Sequence, residues 1–411
     1  MLDGLTCPDS DDERPYENDN LSNNIDEVDY PPNNYEYRRR DIVVVVVGIV
    51  TYFLDWGFDI LTAHTHWRNK DVIWFTLTVL FLSVPSLVVT FVSLSWYIKD
   101  IANENTPKAS VNRWVVRSVM LIFQLGPLLR YVDSLMYGVV SRSIGRRGNR
   151  EMQKEYYSKM LYEEGDAVLL RLFECFMEAA PQLVLQLYIL TQQPDSEKYG
   201  RTWEILLSLG CVTSLLSLAW GVTAHARSIR FTDHQKNNIS CLGTVVLFLW
   251  HIFSLGARVS AMVLFASRFR LYLLAVCAAH WFLMVIWFMA RRSFSDTCPR
   301  LLGEWLLSFL FAAVHIFTFI NDKDEPTLKK YIAFYTICGI ENIAMVVLWL
   351  IYANPSIWYY IPGVVFHFFS FFLGITCMVA YYKFLHPTVL PTHIVRDEGM
   401  LRQQVDSPAA V

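Results

Sequence analysis

The sequence predicts an all-α polytopic membrane protein with eight transmembrane helices and two re-entrant half-membrane hairpins, arranged in two repeats. Three observations predict this class. Of the 411 residues, 54% are hydrophobic and 15% are aromatic, and the apolar residues occur in long runs rather than in amphipathic patterns. Most of these runs reach the roughly 20 residues that a helix needs to cross a bilayer. Basic residues are concentrated in a few segments between the runs, as in the cytosolic loops of membrane proteins.

The N-terminal segment 1–41 is predicted to be a disordered acidic tail in the cytosol. It is rich in Asp, Glu, Asn and Pro and too poor in aliphatic residues to form a core. No signal peptide precedes the first apolar run, and three arginines directly before that run favour a cytosolic tail. The tail contains DEVD, a tetrapeptide that executioner caspases prefer, which ends at Asp29. The alternative interpretation is an accidental acidic run in an exposed segment.

The apolar runs that follow give the transmembrane helices in order. Each run is bounded by polar or charged residues, and each is long enough to cross the hydrocarbon core. The predicted spans are 42–66, 71–98, 168–190, 203–225, 239–266, 272–292, 329–353 and 357–382.

Two shorter apolar stretches, 113–137 and 301–320, are predicted to be hairpins. The basic loops 141–159, 226–238 and 291–300 all belong in the cytosol, so 113–137 must enter and leave on the same side. Its centre has Gly126-Pro127, which can turn the chain between two arms of ~10 residues. For 301–320 the alternative is a full span, which would place the C-terminus outside.

The order span, span, hairpin, span, span then occurs twice, in 42–225 and 226–385. This internal duplication is common among transport folds. The C-terminal segment 386–411 is predicted to be a second cytosolic tail.

The third span, VLLRLFECFMEAAPQLVLQLYIL, carries polar side chains at every fourth position, which places them on one side of a helix. A carboxylate at the bilayer centre costs at least ~2.5 to 3.5 kcal/mol on insertion scales, so such residues rarely face lipid and indicate function. Pro181 cannot donate a backbone hydrogen bond, so we expect a kink and a free carbonyl beside these side chains. The polar positions, which we call the polar stripe, are Glu174, Glu178, Gln182 and Gln186.

Acids on other spans lie at similar depth and outnumber the basic residues that could neutralise them. The structural interpretation is that Arg171 and Arg258 neutralise carboxylates on neighbouring helices. Because there are more acids than these two arginines, we expect the surplus to bind water, protons or a ligand. The acids are Asp55, Asp59, Glu174, Glu178 and Glu341.

Composition and motifs also predict what the protein lacks. The net charge of -3 and its segregation into an acidic tail and basic loops do not favour nucleic acid as a partner. There is no P-loop and no H-E-x-x-H sequence, so we expect no enzyme activity, no cofactor and no metal site. The cysteines form no CxxC pair, which is typical of packing thiols rather than a disulfide framework.

Three motifs carry a resemblance to a known family. The stretch ECFMEAAPQLVLQLYI at 174–189 resembles the E-x-x-x-E-x-x-P-Q-L-x-L-Q hallmark of the XK-related family. The sequence ARVSAMVLFAS at 257–267 is similar to the fifth-span motif of that family, and IENIAM at 340–345 to its seventh-span motif. The resemblance covers roughly 41–385 and implies a plasma-membrane protein of eight spans and two partial helices.

The resemblance also implies a function. Several family members are phospholipid scramblases that expose phosphatidylserine on dying cells, and caspase-activated members carry the cleavage site in a cytosolic tail. Charged residues of the family that are proposed to line a lipid path match five positions here, to which we add Gln182 and Glu341. The five positions are Asp55, Asp59, Glu174, Glu178 and Arg258.

We therefore expect a phospholipid scramblase that exposes phosphatidylserine during apoptosis and is activated by caspase cleavage after Asp29, with Asp406 as the second choice. The expected partners are membrane phospholipids, a caspase and a single-pass immunoglobulin-like subunit, with which some family members pair. The leading alternative is an ion-coupled transporter of a small solute, which would use the same acids. A second alternative is a membrane scaffold that docks a lipid-transfer protein through the basic loop 141–159.

Overall fold

The computed structural model describes residue 37 and residues 39–102, 111–122, 125–192, 196–232, 239–294, 301–321 and 328–386. Both candidate caspase sites, Asp29 and Asp406, lie outside the described residues. Within the described ranges the chain is α-helical with short connections and contains no strand. The predicted all-α class is therefore confirmed.

Twelve α-helices follow one another in the described residues, and two of them continue into short π-helical segments, Cys175–Ala179 and Tyr381–Leu385. Seven helices are long and apolar enough to cross a membrane. The protein is thus a multi-pass membrane protein, whereas the count of eight spans stays a prediction. The α-helices are α1 (Arg39–Arg68), α2 (Val72–Ala102), α3 (Val111–Ile122), α4 (Gly126–Gly145), α5 (Arg150–Glu174), α6 (Ala180–Thr191), α7 (Ser196–Thr232), α8 (Cys241–Phe269), α9 (Tyr272–Arg291), α10 (Leu301–His315), α11 (Leu328–Tyr352) and α12 (Tyr360–Ala380).

Seven of the predicted spans correspond to single helices. The predicted and observed ends differ most at α7. Its polar ends continue the helix beyond the apolar run 203–225. The predicted span 168–190 differs, because it is the second half of a longer helical stretch that begins at Arg150 and ends at Thr191. At 1.5 Å per residue this stretch is about 63 Å long, roughly twice the thickness of the hydrocarbon core.

The predicted loop 141–159 is largely helical. Helix α4 ends at Gly145, and α5 begins at Arg150 after the N-cap Asn149, whose side chain accepts a 3.1 Å hydrogen bond from the backbone N–H of Met152. The residues of this segment are mostly charged or polar, so no apolar run marks the helix. The short connection between α4 and α5 lets these two helices pack against each other along their length.

A π-helical segment, Cys175–Ala179, precedes Pro181, where the sequence predicts a kink. The proline has no N–H for the carbonyl four residues earlier, so the helix has to change its hydrogen bonding at this point. In Cys175–Ala179 the turn widens, and the N–H of Ala180 donates to the carbonyl of Cys175, five residues back. Such widened turns are frequent at functional sites.

The hairpin segments contain two helices and one short helix, respectively. Helix α3 ends at Ile122 and α4 begins at Gly126, but α4 continues to Gly145 and is twice as long as the predicted arm of ~10 residues. Helix α10 has 15 residues, about 22 Å, which is less than the hydrocarbon core, and is followed by the non-helical segment 316–321. That either segment returns to the side from which it entered stays a prediction.

Helix α8 lies at the centre of the structure. In the most apolar part of α8, 56% of the residues are buried, whereas only 17% are buried in the corresponding parts of α2 and α12. In each predicted repeat the first span packs against the second and the fourth: α1 against α2 and α7, and α8 against α9 and α12. The two halves meet through aromatic contacts such as Phe173–Phe311, with ring centroids 5.4 Å apart.

Candidate functional site

The polar stripe is buried on one side of the stretch formed by α5, the π-helical segment and α6, as its spacing predicts. Glu174 is 4% exposed, Glu178 5%, Gln182 1% and Gln186 5%. Within the stripe, Gln182 and Gln186 contact Thr78 of α2, and Gln186 also contacts His66 of α1. The structure therefore describes the stripe in a state that is closed to the membrane.

Arg171 is the centre of a group of side chains that we call the first cluster. Its Nη2 lies 3.2 Å from Asp55 Oδ2, and its Nη1 lies 3.1 Å from Glu174 Oε2. Nη2 also donates to the Oγ of Ser217 on α7 at 2.6 Å. The guanidinium carbon lies 5.0 Å from the ring centroid of Tyr52. One arginine thus neutralises two carboxylates and ties α1, α5 and α7 together.

Two further acids lie one turn away: Asp59 is one turn beyond Asp55 on α1, and Glu178 is one turn beyond Glu174 in the π-helical segment. Unlike Asp55 and Glu174, they have no cation partner among the described residues. The neighbouring Asp55 carboxylate is shared by Arg171 and by the Ser214 hydroxyl, which donates at 2.8 Å. Among the described residues, no cation lies within ion-pair distance of Asp59 or Glu178, and Asp59 Oδ2 has no hydrogen-bond partner. These two buried acids are the surplus that the sequence predicts in this half of the protein.

Helix α2 covers the far end of the stripe through Thr78. Gln182 Nε2 donates to the backbone carbonyl of Thr78 at 2.9 Å, and Gln186 Nε2 donates to the Thr78 hydroxyl at 3.3 Å. The two glutamines are joined by a 3.2 Å hydrogen bond, and His66 Nε2 lies 3.4 Å from Gln186 Oε1. Neutral hydrogen bonds therefore hold the peripheral helix α2 on the stripe.

Arg258 is the centre of a second cluster in the other half of the protein. Its Nε donates to the Ile316 carbonyl at 2.9 Å, Nη1 to Asn342 Oδ1 at 2.7 Å and Nη2 to Glu341 Oε2 at 2.6 Å. The other oxygen of Glu341, Oε1, lies 2.8 Å from His280 Nδ1. The cluster joins α8, α9, α11 and the segment after α10.

The comparisons with known proteins identify the family. A sequence profile described as XK-related protein matches residues 43–387. The chain belongs to the XK-related family. It is 28% identical over 386 residues to cell death abnormality protein 8 of Caenorhabditis briggsae, a match that covers 88% of this chain and 81% of the relative. It is 27% identical over 379 residues to the protein of the same name from Caenorhabditis elegans, with 88% and 81% covered.

In this XK-related protein the two clusters use corresponding helices with opposite signs of charge. The first and third spans of the first predicted repeat contribute Asp55 and Arg171, and those of the second contribute Arg258 and Glu341. Neutralisation by arginines on neighbouring helices therefore applies to the acids that these arginines contact. Neutralisation by an arginine does not account for Asp59 and Glu178, which contact neither arginine.

A third charged group lies where α2, α3, α4 and α5 approach one another. The guanidinium groups of Arg117 and Arg130 lie 4.2 and 4.1 Å from the ring centroid of Tyr97. Arg130 Nη1 is 3.0 Å from Glu163 Oε2, and Arg117 Nη2 is 3.6 Å from Asp133 Oδ2. Burial raises the pKa of Glu163, which precedes the predicted span, to about 7, against the lowering effect of Arg130.

The three charged residues of the predicted hairpin 113–137 that belong to this group are Arg117, Arg130 and Asp133. All three are buried, with 8%, 1% and 3% exposed. Their charges are satisfied by protein partners because four helices converge around them.

Several partners of the predicted residues could not be found from the sequence. Ser214, Ser217, Thr78 and His280 are ordinary polar residues within apolar runs, and periodicity does not show which helix each one faces. The pairing of His280 with Glu341 depends on how α9 packs against α11. No sequence motif marks that contact.

Proposed function

We propose that this protein is a phospholipid scramblase of the plasma membrane that exposes phosphatidylserine during apoptosis. The observation that carries the proposal is the pair of buried acids, Asp59 and Glu178, which have no cation partner among the described residues although they lie inside a membrane protein. The similarity to two proteins named for abnormal cell death supports a role in that process.

The chemistry of a lipid head group fits these residues. A zwitterionic or anionic head group crosses the bilayer slowly because its charges must leave water, at a cost like that of a buried ion. Carboxylates such as Asp59 and Glu178 would bind the ammonium group, and an arginine such as Arg171 would bind the phosphate, while the acyl chains remain in lipid. The arrangement lowers the barrier in both directions, so it needs no energy source.

Opening of the stripe would require helix α2 to move. This helix is among the least buried of the seven apolar helices, and its polar contacts to the stripe are the hydrogen bonds of Gln182 and Gln186 to Thr78. A neutral hydrogen bond contributes only about 0.5 to 1.5 kcal/mol. Breaking these polar contacts therefore costs little free energy, and displacement of α2 is the route that we propose from the closed state to one in which the stripe faces lipid.

Activation would follow from caspase cleavage after Asp29. Cleavage would release an acidic segment from a cytosolic tail, and the connection between α4 and α5 offers Arg146, Arg147 and Arg150 as exposed basic partners for that segment. Exposed ion pairs are individually weak, at ~0 to 1 kcal/mol, but the covalent tether concentrates them. A single-pass immunoglobulin-like subunit, which the family resemblance suggests, would accompany the protein at the plasma membrane.

Reconstitution in liposomes tests the proposal. Purified full-length protein, uncut and cut by a caspase, is placed in vesicles that contain fluorescent phosphatidylserine, and an impermeant quencher measures the labelled lipid in the outer leaflet. We expect fast movement of lipid without any gradient in vesicles with cut protein. Gradient-driven uptake of a cation without lipid movement would instead identify a transporter. Inertness in both assays, with retained binding of a cytosolic lipid-transfer protein, would identify a scaffold.

A further inference from the structure

A group of metal-binding side chain types lies beside the second cluster. One ligand atom each from His280, Cys338 and Glu341 lies within 4.8 Å of the other two. Cys338 and Glu341 are three residues apart on α11, so they share one face of that helix, and His280 approaches them from α9. His280 and Cys338 are buried, and Glu341 is partly exposed.

We propose that His280, Cys338 and Glu341 form a site for a zinc ion or a similar soft divalent cation. An imidazole nitrogen, a thiolate and a carboxylate oxygen are the three ligand types that Zn²⁺ prefers in proteins. A thiolate selects against Mg²⁺ and Ca²⁺, which bind hard oxygen ligands. The sequence did not predict this site, because its ligands come from two helices and match no motif.

The geometry requires small movements only. Zinc binds sulfur at about 2.3 Å and nitrogen or oxygen at about 2.0 to 2.2 Å, so ligand atoms in a tetrahedral site are ~3.3 to 3.8 Å apart. On metal binding, the observed spread of up to 4.8 Å would close to this range by rotation of the side chains. His280 Nδ1 and Glu341 Oε1 are already 2.8 Å apart and share a hydrogen bond, and the metal would take the place of the shared proton.

A fourth position is available in a neighbouring cavity. This cavity has a volume of about 50 Å³ and is lined by Cys338, Arg258, Asn342, Thr318 and Ser254, among others. Because a cavity of ~10 to 15 Å³ suffices for one water molecule, it can supply a water ligand to the metal. A site with three protein ligands and one water is the arrangement of zinc centres that keep an open position.

Charge and protons balance at this site. Binding converts the Cys338 thiol to a thiolate and releases its proton to solvent, so the thiolate and the Glu341 carboxylate neutralise the divalent ion. The proton on His280 Nδ1 moves to Nε2, which makes no hydrogen bond in the described structure. The hydrogen bond given up is the one between Nδ1 and Glu341 Oε1, which the metal replaces with two coordination bonds. Arg258 keeps its bonds to Ile316, to Asn342 and to Glu341 Oε2, since the metal takes the other carboxylate oxygen.

Cobalt titration of the full-length protein in detergent tests the site. The protein is freed of metal with a chelator, and Co²⁺ is added while the absorption of a thiolate–cobalt bond is recorded; Zn²⁺ is then added as a competitor. We expect binding of about one Co²⁺ per chain with thiolate absorption that Zn²⁺ abolishes. Cys338→Ser should remove this absorption and weaken binding at least ~10-fold, because even changes to outer partners of metal ligands cost ~10- to 100-fold.

Two further variants separate metal binding from folding. His280→Gln keeps a donor for Glu341 but loses the imidazole, so it should also weaken binding while elution and thermal unfolding of the metal-free protein stay unchanged. Cys377→Ser, at a partly buried thiol on α12, is the matched control and should bind like the wild type. Equal binding by the Cys338 and Cys377 variants, or a cobalt spectrum without thiolate absorption, would overturn the proposal. Lipid movement is not measured here, so this outcome is independent of the proposed function.

Discussion

Glu178→Gln separates a functional acid from a structural one. Because no described cation pairs with Glu178, the substitution removes a buried charge without leaving an arginine unpaired. Breaking a buried ion pair costs about 3 to 5 kcal/mol, and that cost does not arise here. A hydrogen bond to a charged group contributes about 1.5 to 3 kcal/mol, so loss of the contact to a lipid ammonium group should slow lipid movement about 10- to 150-fold.

The assay measures three quantities on the same variant: the rate of lipid movement in liposomes, the amount of protein at the cell surface and the midpoint of thermal unfolding. We expect only the rate to change in Glu178→Gln. Glu174→Gln should lower the unfolding midpoint, because it removes a partner of Arg171. Glu204→Gln, at an exposed position on α7, is the matched control and should change none of the three.

Two outcomes would refute this reasoning. Wild-type lipid movement by Glu178→Gln would show that the carboxylate takes no part in the lipid path. Retention inside the cell together with a lowered unfolding midpoint would show that Glu178 is a structural partner, as Glu174 is.

Three further predictions concern the gate, the topology and the switch. Thr78→Val removes the hydroxyl that binds Gln186, so it should raise lipid movement by uncut protein about 2- to 10-fold, whereas Thr76→Val, at an exposed position on the same helix, should not. In apoptotic cells that are stained with a phosphatidylserine-binding probe, Asp29→Ala should prevent exposure and Asp406→Ala should not; normal exposure with Asp29→Ala would exclude the N-terminal switch. A cysteine introduced at Asp195 should react with an impermeant thiol reagent from outside, whereas cysteines at Thr232 and Asp296 should not. Labelling at Thr232 or Asp296 would contradict the predicted topology.

The fold was accessible from the sequence wherever burial in lipid alone decides structure. Seven helices follow apolar runs, because a chain inside the hydrocarbon core must satisfy its backbone hydrogen bonds within the segment. The first part of α5 was missed since residues 150–167 are largely polar, and a helix outside the membrane needs no apolar run. Its N-cap, Asn149, is a signal that could have shown where it begins.

The members of the polar stripe were predictable, but their partners were not. Every fourth residue shares a helix face whatever surrounds it, so the grouping of Glu174 with Glu178 follows from spacing. The distribution of Arg171 between Asp55 and Glu174, rather than Glu178, depends on the rotation and depth of α1 against α5. These are properties of packing between helices, which no single run of sequence contains.

The sharing of Arg171 between Asp55 and Glu174 bears on two further acids, which destabilise the fold when they are charged. Asp59 and Glu178 are both buried. Desolvation of each carboxylate costs several kcal/mol unless the carboxylate is protonated or paired. Arg171 is engaged by Asp55 and Glu174, so it offers neither of them an ion pair within the described state. A cation that entered the stripe would remove this cost, and the ammonium group of a lipid is such a cation. Protonation of the acid or occupation of the stripe by a cation relieves this cost in the closed state, so replacement of either acid by its amide should leave the stability of the empty protein unchanged while it slows lipid movement.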